Sequence, residues 1–440
     1  MKLLIRAARV IDSRSPYNGQ VRDLLIENGL IREVGEGLAA DEKTRVIEGE
    51  NLCVSPGWFD LRVAGRDPGY EHKEDLKTVC RVAARGGFTD LAILPNTRPA
   101  IDSKDTLAYI RHSTLGQVVS VHPIAAVTKG AEGKDFTEMI DLHHAGAVAF
   151  SDGEHPLTNP DLLVKTIQYL RPFDGLLMNR PEETKLTHFG QMNEGLTSTQ
   201  LGLKGMPAIA EELIVERDLR LLAYALETGN TPEETPAGKS LTEGPLPCLH
   251  FSVISTARSV DLIRQAKAAG LPVSCDVAAH QLVYDETALM AFDTNLKVNP
   301  PFRLASDVEA LRQGVIDGTI DAVVSDHSPQ DEESKNLEFD QAEFGILGLE
   351  TVFSLLRTHL PELSLEQLVD RLTYQPRRIL RLPVHTVAEN EPATLTVFDP
   401  DRPWVYQRTA SRSRNTPFLG QELRGKALWV INKGLADHTE

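Results

Sequence analysis

The chain has 440 residues, 41% hydrophobic and 25% charged, enough to bury a large core in one big domain and a small one. A formal net charge of −17 argues against a nucleic-acid or anionic-membrane surface, because phosphate binding needs a basic face. No apolar run approaches the roughly 18 residues of a membrane span. Met1-Lys-Leu-Leu-Ile-Arg is too short for a signal peptide, and Cys53, Cys80, Cys248 and Cys275 form no CxxC pair, so the expectation is a reduced, cytoplasmic protein.

Segments 3–11, 23–27, 30–34 and 45–47 are β-rich and punctuated by Gly or Asn. From about 55 the texture changes. Apolar strands at 91–94, 146–150, 175–178, 249–254, 272–277 and 322–324 alternate with helical patterns at 76–86, 260–270 and 307–318. Ser259 is the expected cap of the second helix and Gly270 its stop. Strands return at 393–398, 404–406 and 427–431. Repeated βα units predict an α/β fold, a (β/α)8 TIM-type barrel over 55–384. The β-rich ends, 1–54 and 385–440, are expected to meet in one small composite β-domain. Two stretches break the rhythm. Residues 181–206 read as a long loop over the barrel mouth, and 229–245 as a mobile, breaker-rich surface loop. His143-His144 reads as a solvated helix end.

Three stretches end strands on polar side chains: Ser55-Pro-Gly-Trp-Phe-Asp-Leu-Arg-Val-Ala-Gly-Arg-Asp-Pro-Gly69, Ile93-Leu-Pro-Asn-Thr-Arg-Pro99 and Ala322-Val-Val-Ser-Asp-His-Ser-Pro329. A parallel barrel keeps its chemistry at such strand ends. With Lys73-Glu-Asp, Gly86-Gly-Phe-Thr, Gly146-Ala-Val-Ala-Phe-Ser-Asp152, Met192-Asn-Glu-Gly195, Val298-Asn-Pro-Pro301, Phe344-Gly-Ile-Leu-Gly-Leu-Glu350 and Asn415-Thr-Pro-Phe, they carry a resemblance over nearly the whole chain. The sequence resembles the dihydroorotase branch of the amidohydrolase superfamily, the bacterial type that associates with aspartate carbamoyltransferase.

The resemblance implies a cyclic amide opened by a metal-bound hydroxide, with two zinc ions and an Asp that shuttles the proton. It also implies ligands that this chain lacks. Where the family has Asp-x-His-x-His, the chain has Asp60, Leu61, Arg62, Val63 and Ala64. Gly153 matches the bridging carboxylate, with Asp152 one place early; Asn179 and Val253 match two further histidines. Asp326 alone survives, and it is the expected catalytic residue. His250 lies three residues before Val253, so in a strand it faces the other way. Arg62 is permanently cationic and repels a metal, so the expectation is no bound cofactor, with an Arg62–Asp326 ion pair filling the site. The alternative is a relocated metal site drawn from His155, His280, His327, Asp152 and Asp326.

The resemblance assigns substrate binding to Arg66, Asn96, Asn299 and His327, all present. They suit a carboxylate-bearing amide such as dihydroorotate or N-carbamoyl-aspartate. The bland readings are a pairing of Arg66 with Asp67 or Glu71, and turn or cap roles for the two asparagines. Three functions stay open. The first is an inactive homologue, a homo-oligomer acting as structural partner of aspartate carbamoyltransferase. The second is an atypical active dihydroorotase or other cyclic amidohydrolase. The third is a sensor that binds dihydroorotate without turnover.

Overall fold

A computed structural model of the chain describes residues 2–228 and 245–439. The expected mobile loop therefore lies, except for its last residue, outside the described residues. Both ends of the chain share one sheet. Its order runs Leu435–His438, Glu422–Asn432, Leu395–Val405, Cys53–Pro56, Lys2–Val10, Val21–Glu27 and Leu30–Gly35, with Arg45–Ile47 also on Lys2–Val10. Cys53–Pro56 runs antiparallel to Leu395–Val405, which joins the two ends. Alternating apolar residues of these strands, among them Leu3, Ile5, Leu24, Ile26, Leu395 and Val397, form a core of their own.

The middle of the chain closes into a ring of parallel strands. Trp58–Val63, Phe88–Ile93 and Ser120–Pro123 pair in that order. Phe150 bridges Ala125 on one side and Leu177 on the other, as a fourth strand reduced to a single point. Leu177–Asn179, Leu249–Phe251, Val273–Ala278 and Ala322–Val324 continue the ring. His327 bridges back to Val63, and the Ala64 amide donates to the His327 carbonyl at 2.8 Å, which closes the barrel. Phe59, Leu61, Ala92, Ile124, Met178, Val253, Ala278 and Val324 belong to one buried cluster drawn from strands around the ring. The larger core lies outside it, with the helices; there Trp58 meets Phe88, Phe353 and Phe398.

The helix signals hold with shifts at their ends. Leu76–Gly86 starts on Asp75, whose carboxylate accepts from the Thr78 amide, and ends on Gly87 at φ 92°. The helix expected from 260 begins earlier, at Ala257, because Thr256 and not Ser259 is its cap. Ser259 supplies the backbone amide that Thr256 accepts. Residues 181–206 are not one long loop. They hold the short helices Thr184–Thr187 and Leu196–Leu201 and a parallel pair, Met192–Asn193 with Gly205–Met206. His143 and His144 are exposed at the end of helix Met139–His144, as the sequence suggests.

Candidate active site

At the C-terminal ends of the barrel strands lies a cavity of 390 Å³, lined by Arg62, Arg66, Lys73, Glu154, Arg180, Asn299 and Asp326, among others. A cleft of 470 Å³ at the opposite end is lined by Asp90, His122 and Arg377, but these charges already pair with one another. The strand-end cavity is the candidate site.

Arg62 organises it. The pairing of Trp58–Val63 with its neighbour slips between Asp60 and Val63, where Arg62 sits. Its Nε donates to Asp326 Oδ1 at 2.7 Å and its Nη1 to Ser252 Oγ at 3.0 Å. Asp60 accepts from the backbone amides of Arg62 and Ser325, at 2.9 and 2.8 Å, and so holds both strand ends in place. Arg62 is only 3% exposed. Burial works against its charge, but Asp326 and Asp276 outweigh it and the pKa is raised. Burial also pushes the Asp326 carboxyl up, against the pull of Arg62. The 2.7 Å contact to a permanently charged guanidinium makes this an ion pair.

The other metal positions are closed in different ways. Gly153 sits at φ 66°, and a Cβ there would meet Asn96 Oδ1 at 1.9 Å. Asp152 turns away and accepts from the Thr128 amide and hydroxyl, at 3.0 and 2.5 Å. Asn179 donates to Asp218 at 2.7 Å and accepts from the Leu157 amide at 3.0 Å. Val253 packs in the barrel-interior cluster. His250 is held between Ser274 and Asp276, both at 2.8 Å. Asp326, the surviving carboxylate, is spent on Arg62. These residues do not fit a zinc pair, which needs several converging neutral or anionic donors.

The residues named for a relocated site do not come together as a ligand set. His155 is exposed. His280 is buried edge-on to Phe302, and burial pushes its pKa down to about 3. Asp152 is engaged with Thr128. Among the described residues, no three His, Cys, Asp or Glu side chains group closely enough to hold a metal.

Of the residues assigned to substrate, Arg66 and Asn299 line the cavity, together with Asp326, the expected catalytic residue. Arg66 bonds Ser328 Oγ at 2.7 Å and pairs with Glu154 at 3.2 Å, rather than with Asp67 or Glu71. The Asn299 amide reaches Glu182 at 3.4 Å. Asn96 does not line the cavity. It donates to the Asp152 carbonyl at 3.0 Å and accepts from the Glu154 amide at 2.8 Å, so it pins the loop beside the site. His327 is fully buried behind the wall, where Nδ1 accepts from the Gly348 amide at 3.3 Å.

Two site residues escape the sequence reading. Glu154 stands among Arg66, Arg62 and Arg180, which together hold its carboxyl below the usual range against the opposing effect of burial. Arg180 donates to the Glu154 carbonyl at 3.0 Å and pairs with Glu182 at 2.6 Å. The available signal was position: each directly follows a lost ligand, Gly153 or Asn179. Four cationic and three anionic side chains line the cavity, a net positive site in a chain of net charge −17.

Comparison with known proteins agrees with the motifs. Residues 51–229 match the family model described as "Dihydro-orotase-like". The chain is 39% identical to "Dihydroorotase" of Pelobacter propionicus over 99% of both chains. It is 40% identical to "Dihydroorotase" of Pelotomaculum thermopropionicum, covering 97% of this chain and 96% of the other. Among solved structures, the L-hydantoinase from Arthrobacter aurescens superposes with TM-score 0.81 at 21% identity, covering 99% of this chain and 95% of that one. The dihydropyrimidinase from Brevibacillus agri gives 0.80 at 20%, with the same coverage. The structural likeness establishes the barrel with its β-domain, and the sequence identity, over full length, establishes that the chain belongs to the dihydroorotase family.

Proposed function

We propose that this protein is a metal-free, non-catalytic dihydroorotase homologue of pyrimidine biosynthesis that acts as a structural partner of aspartate carbamoyltransferase. One observation carries the loss of catalysis. A buried guanidinium, Arg62, is paired at 2.7 Å with Asp326, the residue expected to move the proton. A carboxylate so engaged is not a free base, and a cation beside it repels a metal. The complete barrel and the family motifs outside the metal positions support retention for assembly. The test is co-expression with aspartate carbamoyltransferase from the same organism, with dihydroorotase assayed in both directions. Co-purification at a fixed stoichiometry without turnover is expected. Turnover by this chain alone would overturn the proposal.

The cavity favours a second reading, the holding of dihydroorotate or N-carbamoyl-aspartate without conversion. Arg66 and Asn299 are its wall contacts, with Asn96 and His327 supporting the loop and strand behind. Heat on titration with either compound, with no product formed, is the expected sign; no heat at millimolar concentration would remove it.

A further inference from the structure

The 470 Å³ cleft at the opposite end of the barrel lies where the barrel meets the β-domain. Its volume is within the roughly 300–1,000 Å³ of small-molecule sites. Asp90 stands in it with both oxygens engaged. Oδ1 meets His122 Nε2 at 2.9 Å, and Oδ2 accepts from Arg377 Nη2 and from the Thr89 hydroxyl, each at 2.7 Å. That carboxylate is saturated, and Arg377 matches its charge. Two basic side chains are left over. Lys433 reaches the cleft from the turn that joins Glu422–Asn432 to Leu435–His438. Its ammonium donates to the Val119 carbonyl at 3.2 Å and has no carboxylate in ion-pair reach among the described residues. Partial burial holds its pKa below the usual lysine range, against the pull of Asp90. His385 is half-buried, and its ring makes no hydrogen bond among the described residues. The turn that carries Lys433 is braced by a second hairpin tip, Asn28-Gly29. A Cβ on Gly29 would lie 3.3 Å from the Gly434 amide nitrogen, so the two turns form one wall.

We infer that this cleft is a second binding site, one that takes a small anion through its phosphate group. The donors decide the class. A carboxylate is best held by the fork of a guanidinium, and Arg377, which supplies the guanidinium here, is committed to Asp90. What remains is a point charge on Lys433 and single donors on separate elements. These are the His385 ring, the Asn28 amide and the Ser120 hydroxyl, which accepts from Asn432 and keeps its own proton to give. A tetrahedral anion with several acceptor oxygens suits scattered donors of that kind, and lysine binds phosphate as a point charge. Two cations, Arg377 and Lys433, face one carboxylate before either histidine takes a proton, in a chain of net charge −17. Leu382, Pro383 and Pro392 add an apolar wall against which an organic body can lie. The cleft is separate from the strand-end cavity, and the inference stands whether or not that cavity turns anything over.

The test is calorimetric titration of the full chain with phenyl phosphate and, separately, with inorganic phosphate. Saturable binding at millimolar concentration or below is expected. Lys433→Gln removes the charge and is expected to weaken binding about tenfold, because a charge-assisted hydrogen bond is lost. His385→Ala is expected to weaken it severalfold, and it serves if Lys433→Gln fails to fold by circular dichroism. Arg66→Gln, in the strand-end cavity, is expected to leave binding unchanged, which assigns the heat to the cleft. Tighter binding of phenyl phosphate would point to a phosphate monoester, and equal binding to the free ion; either supports the site. No saturable heat with either probe would overturn the inference. So would binding indifferent to both Lys433 and His385, or binding lost with Arg66→Gln.

Discussion

Arg62 and Asp326 depend on each other because Arg62 is buried and Asp326, at 14% side-chain exposure, is largely withdrawn from water beside it. Removing one leaves the other buried and unpaired, which costs roughly 3–5 kcal/mol, whereas replacing both by apolar residues is often close to neutral. Arg62→Met is therefore expected to lower unfolding free energy by that amount in guanidinium titration, and Arg62→Met with Asp326→Leu to recover most of it. Equal losses in the single and double variants would mean that the pair is not coupled. His280 gives a second residue-scale check. Buried neutral, with its pKa pushed down to about 3, it takes no proton in the fold while the unfolded chain takes one below its ordinary value of 6.5. Its contribution to stability is thus lost as pH falls below 6.5, by about 1.4 kcal/mol per pH unit. His280→Leu should flatten the stability profile between pH 6.5 and 5 by that slope, whatever its offset. An unchanged slope would contradict the burial argument. At this scale the lost histidines were legible, since a missing imidazole is a property of one position. Glu154 and Arg180 were not, because their meaning comes from loops after different strands arriving at one place.

Loops at the strand ends show why restoring a ligand does not restore a site. Gly153 occupies a left-handed turn pressed against Asn96, whose amide is itself committed to the backbone on both sides of Gly153. Gly153→Asp puts back the carboxylate that the family motif calls for, but its Cβ has no room and the backbone there favours glycine. It is expected to lower stability by more than about 1 kcal/mol and to bind no zinc, as read by denaturation and elemental analysis. Zinc taken up by this single variant would show that the loop can open. Elements with strong periodicity, such as Leu76–Gly86, were readable from sequence. The short pieces within 181–206 were not, since two-residue strands and four-residue helices carry no period and are held by tertiary contacts, as where the Glu183 amide meets the Ala210 carbonyl. The helix starting at Ala257 shows the same limit at its boundary. Thr256 and Ser259 are both good caps, and their hydroxyls bond each other at 2.9 Å.

Taken whole, the molecule has a barrel with a β-domain and places a buried guanidinium at the strand ends of its candidate site. The barrel closes through Val63 and His327, next to Arg62 and Asp326, so the ion pair sits on the seam that completes the ring. That placement ties two neighbouring strand ends together where the ring closes. Among the described residues, no helix is long and apolar enough to cross a membrane. The measurement that tests the account most directly is zinc per chain in protein purified with zinc supplied, paired with a dihydroorotase assay. The account predicts well under one equivalent and no turnover above buffer. One or two equivalents with turnover lost on chelation would contradict it, and would mean that Arg62 leaves Asp326 to admit a metal.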